Sequence, residues 1–194
     1  MTGLNRFLLS SVCVLCLAMP SLAQQKYERE YTIKPSAVPE KASKFIRDVF
    51  KGAKIHWYGE ESLKQKTIEA KFKVAGKRYS IEFDPSGEVQ DVEIRSSFNA
   101  IPSETRAVLT KRLNREFDKF KVVKTQIQWK ADKSILQQAL VAETAPKSVQ
   151  VRYELILKAS KKRITNYYEV LCEKSGEVVS IHEIIQRNTD NLIY

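Results

Sequence analysis

One series of segments runs twice along the chain, and it narrows the available folds more than any other feature. The turn Ser86-Gly87-Glu88-Val89 returns as Ser175-Gly176-Glu177-Val178, each time behind a helix-spaced segment, a tryptophan-bearing strand and a hairpin. Four identical residues arise readily by chance, but four in register with three matching elements point to an internal duplication.

In the first copy, segment 39–51 places Ala42, Phe45, Ile46, Val49 and Phe50 at i, i+3, i+4, i+7 and i+8. That spacing predicts one apolar helical stripe, with Pro39 suited to the first turn and Gly52 to the stop. A short strand, 54–58, carries Ile55 and Trp57; then Ile68, Ala70, Phe72 and Val74 alternate with Thr67, Glu69, Lys71 and Lys73. Period two of this kind predicts a strand with one wet face. Ala75-Gly76-Lys77 turns the chain into Tyr79, Ile81 and Phe83, and Asp84-Pro85-Ser86-Gly87 is a second turn before a fourth strand, 89–95. There proline presets φ and glycine accepts a positive value.

In the second copy, segment 102–120 predicts a longer helix with Leu109, Leu113, Phe117 and Phe120 on one face. Strand 124–129 puts Ile127 and Trp129 in the places of Ile55 and Trp57, and alternating strands follow at 149–157 and 164–172. An insertion, 130–147, carries Ile135, Leu136, Ala139 and Leu140 at helical spacing after Asp132. It reads as a packing helix over the second sheet, with a partner-binding protrusion as the alternative. Both tryptophans are expected in the core. The fold class predicted is α+β: a tandem repeat of a helix followed by a four-stranded antiparallel sheet, with the helices packed on one sheet face. The division expected is a signal peptide over 1–23, a polar lead over 24–37, a first repeat over 38–99 and a second over 100–194.

The signal assignment rests on Arg6, a short apolar run over 7–20, and small residues Ser21 and Ala23 at the minus-three and minus-one positions. The run is too short to span a bilayer, which takes about 20 helical residues. Cleavage after Ala23 removes one of 33 basic residues and none of the 23 acidic ones, so the exported part keeps a strong positive excess. It also removes Cys13 and Cys16, leaving Cys172 without a partner for an intramolecular disulfide. A disulfide-free exported chain fits a bacterial periplasm or surface. With 43% hydrophobic and 29% charged residues, disordered, low-complexity and collagen-like classes are excluded.

The strings KIHWYGEE, KTIEAKFKVAGKRYSIEFDPSGEVQDVEI and AIPSETRAVLTKRL resemble the PepSY-like, β-lactamase-inhibitor-protein-like (BLIP-like) domain of exported bacterial proteins. Trp57, Phe83, Asp84, Gly87, Glu93 and Pro102 stand at the matching positions, while the second copy replaces the Phe-Asp pair by Cys172 and Glu173. The resemblance implies antiparallel sheets with helices on one face and a binding rather than catalytic role.

Chemical motifs are sparse. His56 and His182 have no zinc-ligand spacing, and neither a Gly-x-Ser-x-Gly elbow, a phosphate loop nor a Gly-x-Gly-x-x-Gly string occurs. Glu60 and Glu61 read as solvated acids in a turn, and Cys172 as a buried, inert thiol. The expectation is therefore no enzyme, no cofactor and no metal. The positive signal is basic: Lys71, Lys73, Lys77 and Arg78 gather about the first hairpin, and Lys158, Lys161, Lys162 and Arg163 about the second. Lys111, Arg112, Arg115 and Lys119 share an arc of about 100° on the second helix. Lysines also protect strand edges and solubilise hairpins. The sharper reading is a docking surface for an acidic protein partner, with anionic lipid headgroups or polyanionic envelope glycans as the alternative. Nucleic acid is disfavoured by compartment and by the lack of a recognition motif. The chain is thus expected to be a non-enzymatic exported binding protein, an inhibitor or sensor of an envelope protein.

Overall fold

The computed structural model describes residues 24–62 and 65–185. The expected signal segment, with Cys13 and Cys16, lies outside the described residues. In chain order the elements are β1 (Gln24–Thr32), α1 (Glu40–Val49), β2 (His56–Ser62), β3 (Lys66–Val74), β4 (Lys77–Phe83) and β5 (Val89–Ser96). They continue with α2 (Ser103–Glu116), β6 (Lys119–Lys130), α3 (Lys133–Val141), β7 (Gln150–Lys161), β8 (Ile164–Glu173) and β9 (Val178–Ile185).

The predicted pair of four-stranded sheets is not what forms. The nine strands make one continuous sheet in sequence order. Its halves are joined where β5 pairs with β6, from Val92↔Trp129 to Ser96↔Thr125. Two features make the join. The helix expected over 102–120 stops at Glu116, because Phe117 is already extended (φ −124°, ψ 142°) and gives its N–H to Leu113. The residues so released lengthen β6 to 12, enough to pair with β5 on one side and with β7 over its whole length on the other. Pairing satisfies edge groups that two separate sheets would leave open. The polar lead supplies a further strand, β1, which pairs antiparallel with β2 and parallel with β9, from Gln24↔His182 to Tyr27↔Ile185. An odd number of successive antiparallel strands leaves the first and last running the same way, so closure is parallel.

Alternation sends the apolar residues to one face, where the helices lie. Under α1 and α3, Phe45, Trp57, Phe72, Tyr79, Ile81, Phe83, Val92 and Trp129 form a first cluster. Under α2, Leu109, Leu113, Phe117, Leu155, Leu157, Tyr168, Val170 and Cys172 form a second. Both tryptophans are buried, as expected. The insertion helix is placed differently: Leu136, Ala139 and Leu140 of α3 join the first cluster, and α3 packs beside α1 rather than over the second half.

The duplicated turn has a physical cause. In each copy the glycine N–H bonds back to the carbonyl three residues earlier, Gly87 to Asp84 at 2.9 Å and Gly176 to Glu173 at 2.8 Å. Both glycines hold positive φ, 88° and 90°. Each also lies against the start of a helix: a Cβ on Gly87 meets Pro39 Cβ at 2.8 Å, and one on Gly176 meets the Thr105 carbonyl oxygen at 2.4 Å. Gly176→Ala therefore combines backbone strain with a backbone clash and is expected to cost about 2–4 kcal/mol, read by urea unfolding. Gly87→Ala, with a softer contact, costs less.

Candidate functional site

The face opposite the helices is where the structure departs most from a reading of wet strands. Closure turns this face inward, so polar side chains on it are buried without a helix above them: Thr67, Ser80, Asp91 and Gln126 are all under 9% exposed. Two charge groups occupy it, and a third lies at the hairpin end of the sheet.

The first is centred on Lys71, whose side chain is 12% exposed. Its Nζ stands 2.5 Å from Glu30 and 2.9 Å from Glu69, and 4.9 Å from the centre of the Tyr58 ring. Burial opposes the charge of Lys71, but Glu69 and Glu30 outweigh it and hold the ammonium above the usual lysine range. Burial likewise opposes ionisation of Glu69, yet Lys71 and the Ser80 hydroxyl keep its carboxyl below the ordinary value. Glu30, Glu60 and Glu69 each bring a carboxylate oxygen within 4.8 Å of the others, the spacing of a cation site. In this chain Lys71 supplies the cation.

The second group lies on β5. Gln128 Nε2 donates to Asp91 at 3.1 Å, and Gln126 Nε2 to Glu93 at 2.6 Å. Burial, then the charges of Glu82 and Glu154, push Asp91 up to about 8. Burial, then Asp91, push Glu93 up to about 8 as well. Protonated carboxyls that titrate near neutrality mark candidate functional positions.

The third group is basic and includes residues named from the sequence. Because β3 to β8 run antiparallel in order, the β3–β4 and β7–β8 hairpins reach the same end of the sheet. Lys73 stands exposed opposite Arg78 across the first hairpin. Lys77 is tied to Glu143 at 2.6 Å, and Lys161 to Glu116 at 2.5 Å. Lys158, Lys162 and Arg163 are exposed, and Lys158 faces Lys121 across β6. Of the eight residues, Lys71 does not belong to a tip at all, Lys77 and Lys161 are engaged by acids, and five remain outward.

Glu60 and Glu61, read as a turn, lie in β2. The acids Glu30, Glu69, Asp91 and Glu154, with Arg95, Lys124 and Gln126, escape sequence reasoning because a wet strand face looks the same whether it meets solvent or its own barrel. Cys172 is fully buried, and burial pushes its thiol up to about 12, which suits an inert core position. Among the described residues no helix is long and apolar enough to cross a membrane.

No family model matches the sequence, and no curated protein matches it. Solved structures do. A protein from Bacteroides eggerthii, provisionally described as periplasmic, is 16% identical with a TM-score of 0.50, covering 75% of this chain and 88% of that one. A DUF2874 family protein from Bacteroides uniformis is 11% identical with the same TM-score, covering 75% and 89%. A BLIP-like protein from Bacteroides fragilis is 11% identical with a TM-score of 0.48, covering 78% and 90%. At such identities the likeness of the first two establishes a shared fold.

Proposed function

We propose that the chain is a non-enzymatic, exported binding protein that docks an acidic protein partner on the basic end of its sheet, as an inhibitor or sensor in the envelope. The observation carrying this reading is topological: both basic hairpins, distant in sequence, reach one end of one sheet. Export is supported by the signal-like residues 1–23 and by the provisional periplasmic description of a structural neighbour. The kinship with PepSY-like and BLIP-like proteins, and the descent of 38–99 and 100–194 from one duplicated unit, belong to the same proposal and rest on the repeated motifs. The test is capture by immobilised residues 24–194 from envelope extract. One discrete protein is expected, weakened by moderate salt and lost in Lys162→Glu/Arg163→Glu; its absence at low salt counts against the reading.

One observation favours a second reading, a polyanion binder. Lys162 and Arg163 form a two-residue hairpin with φ of 51° and 68°, both left-handed. Asn-Gly makes such a turn with little strain. Strain of this kind, held by side chains that no fold requirement explains, marks a functional position. Lys162→Asn/Arg163→Gly is expected to stabilise the chain by about 1–2 kcal/mol. If the tip binds polyanions, the same variant loses salt-sensitive retention on heparin; unchanged retention removes this reading.

A further inference from the structure

The basic arc that the sequence places on the second helix separates in the structure. Arg112 is engaged by Glu116 at 3.0 Å, and Lys119 has passed into β6. Lys111 and Arg115 stay exposed and form no ion pair among the described residues. They stand on one rim of a shallow groove along the outer side of α2, floored by Ser103, Ala107, Thr110 and Asn114 and flanked by Phe98. Arg106 makes the opposite rim, about 140° around the helix from Lys111. Neutral acceptors hold it there: its Nε donates to the Ile101 carbonyl at 3.0 Å and its Nη1 to Asn99 Oδ1 at 3.3 Å. No acid lines the groove.

The side chains that α2 buries are Thr105, Leu109 and Leu113, so core packing does not dictate the groove side. Lys111 and Arg115 are four residues apart, where like charges destabilise a helix. Arg106 adds a third charge, fixed in place and without an acid. Charge complementarity therefore calls for an acidic occupant. Spacing and floor chemistry set its conformation. Along the helix axis Arg106, Lys111 and Arg115 are separated by about 7.5 and 6.0 Å. Alternate residues of an extended chain point the same way about 6.6–6.8 Å apart, so acids at every second position match the three cations. An extended segment also leaves its own backbone N–H and C=O groups unpaired, and Ser103, Thr110 and Asn114 offer hydroxyls and an amide to them.

We infer that the α2 groove receives an extended acidic segment of the protein partner, with Arg106, Lys111 and Arg115 each meeting one of its alternating carboxylates. This rests on the reading of the chain as a binder of an acidic protein, and gives that partner a second contact and a conformation. The two surfaces adjoin: Glu116 accepts from Lys161 and Asp118 from the Arg163 N–H, so the end of α2 lies against the second basic hairpin.

The probe is an end-capped peptide of four Glu-Ser repeats, titrated into residues 24–194 at constant ionic strength. A peptide of four glutamates followed by four serines, equal in charge, and a heparin-derived hexasaccharide are parallel arms. The alternating peptide is expected to bind at least threefold tighter than the block peptide. Lys111→Gln/Arg115→Gln is expected to weaken it at least tenfold, Arg106→Gln at least threefold, and Lys162→Gln/Arg163→Gln less than twofold. Thermal unfolding checks that each variant is folded. Lys111 and Arg115 are exposed, so their variant carries the test if loss of the Ile101 contact unfolds Arg106→Gln. Equal weakening by the groove and tip variants overturns the groove. Equal binding of the two peptides overturns the extended fit, and tighter binding of the hexasaccharide overturns the protein source. The capture experiment above stands separately. A partner retained by wild-type and by Lys111→Gln/Arg115→Gln alike, but lost in the tip variant, removes the groove and leaves the binding role intact; no partner captured by wild-type overturns the role itself.

Discussion

Replacing Lys71 by methionine is expected to destabilise the protein by about 3–5 kcal/mol, the cost of removing one partner from a buried ion pair. Methionine has nearly the length of the lysine stem, so packing is kept and the lost quantity is charge. The variant leaves Glu30, Glu60 and Glu69 with carboxylate oxygens within 4.8 Å of one another and no ammonium between them. Their mutual repulsion raises their pKa values, so protonation relieves the defect and the loss is larger at pH 8 than at pH 5. Adding Glu69→Gln to Lys71→Met removes one repelling charge while leaving an acceptor for the Ser80 hydroxyl, and recovers part of the stability. Urea unfolding at both pH values reads all three. A loss below about 1 kcal/mol, in the range of an exposed pair, would show that Lys71 is solvated and the inward face open.

Wild-type stability is expected to fall as pH rises from about 4 to about 8. Asp91 and Glu93 are both pushed up to about 8 in the folded chain, well above the carboxylate values they regain on unfolding. Between those limits the folded state binds more protons than the unfolded one, and unfolding free energy then declines with pH. The two groups repel each other and titrate as a pair. The decline for the pair is several kcal/mol, bounded above by about 10 kcal/mol, the worth of two independent displacements of roughly four pH units at about 1.4 kcal/mol per unit. The opposite slope appears below about pH 4, where Glu69, Asp84 and Glu116, whose pKa values are depressed, take up protons and release their partners. Asp91→Asn/Glu93→Gln mimics the protonated carboxyls and keeps acceptors for Gln126 and Gln128. The double variant is expected to flatten the alkaline side of the profile and to raise the melting temperature at pH 8 by about 6 °C or more. A wild-type profile flat from pH 5 to pH 8 would mean that these carboxyls ionise freely and that the face is not closed from water.

Both predictions concern residues that the sequence presents as ordinary. Glu69, Lys71, Asp91 and Glu93 fall on the polar phase of alternating strands, the phase that meets solvent in an open sheet. Lys71 is instructive: four residues from the hairpin turn at Ala75, it reads as part of a basic tip, yet its register opposite Ser80 and His56 places it over the sheet interior. Lys73, two residues nearer the turn, does stay exposed. The basic hairpin at Lys162 and Arg163 was legible as an exposed turn, since both residues follow an unbroken alternating strand. Its left-handed backbone was not, because neither residue type favours that conformation.

What the sequence by itself determined is local. Alternation places Phe72, Ile81, Phe83, Leu155 and Val170 on one face of their strands, helical spacing buries Phe45 and Leu109, and Gly87 and Gly176 are required wherever a turn with positive φ abuts a helix. Each is decided by neighbours a few residues away. Only the tertiary structure decided that β5 joins β6, that β1 closes the sheet against β9, and that α3 crosses to the first cluster. These are pairings across long stretches of chain, and several registers satisfy the same alternation. Closure then converts a wet strand face into an interior, and with it turns surface acids and lysines into a buried network with shifted pKa values.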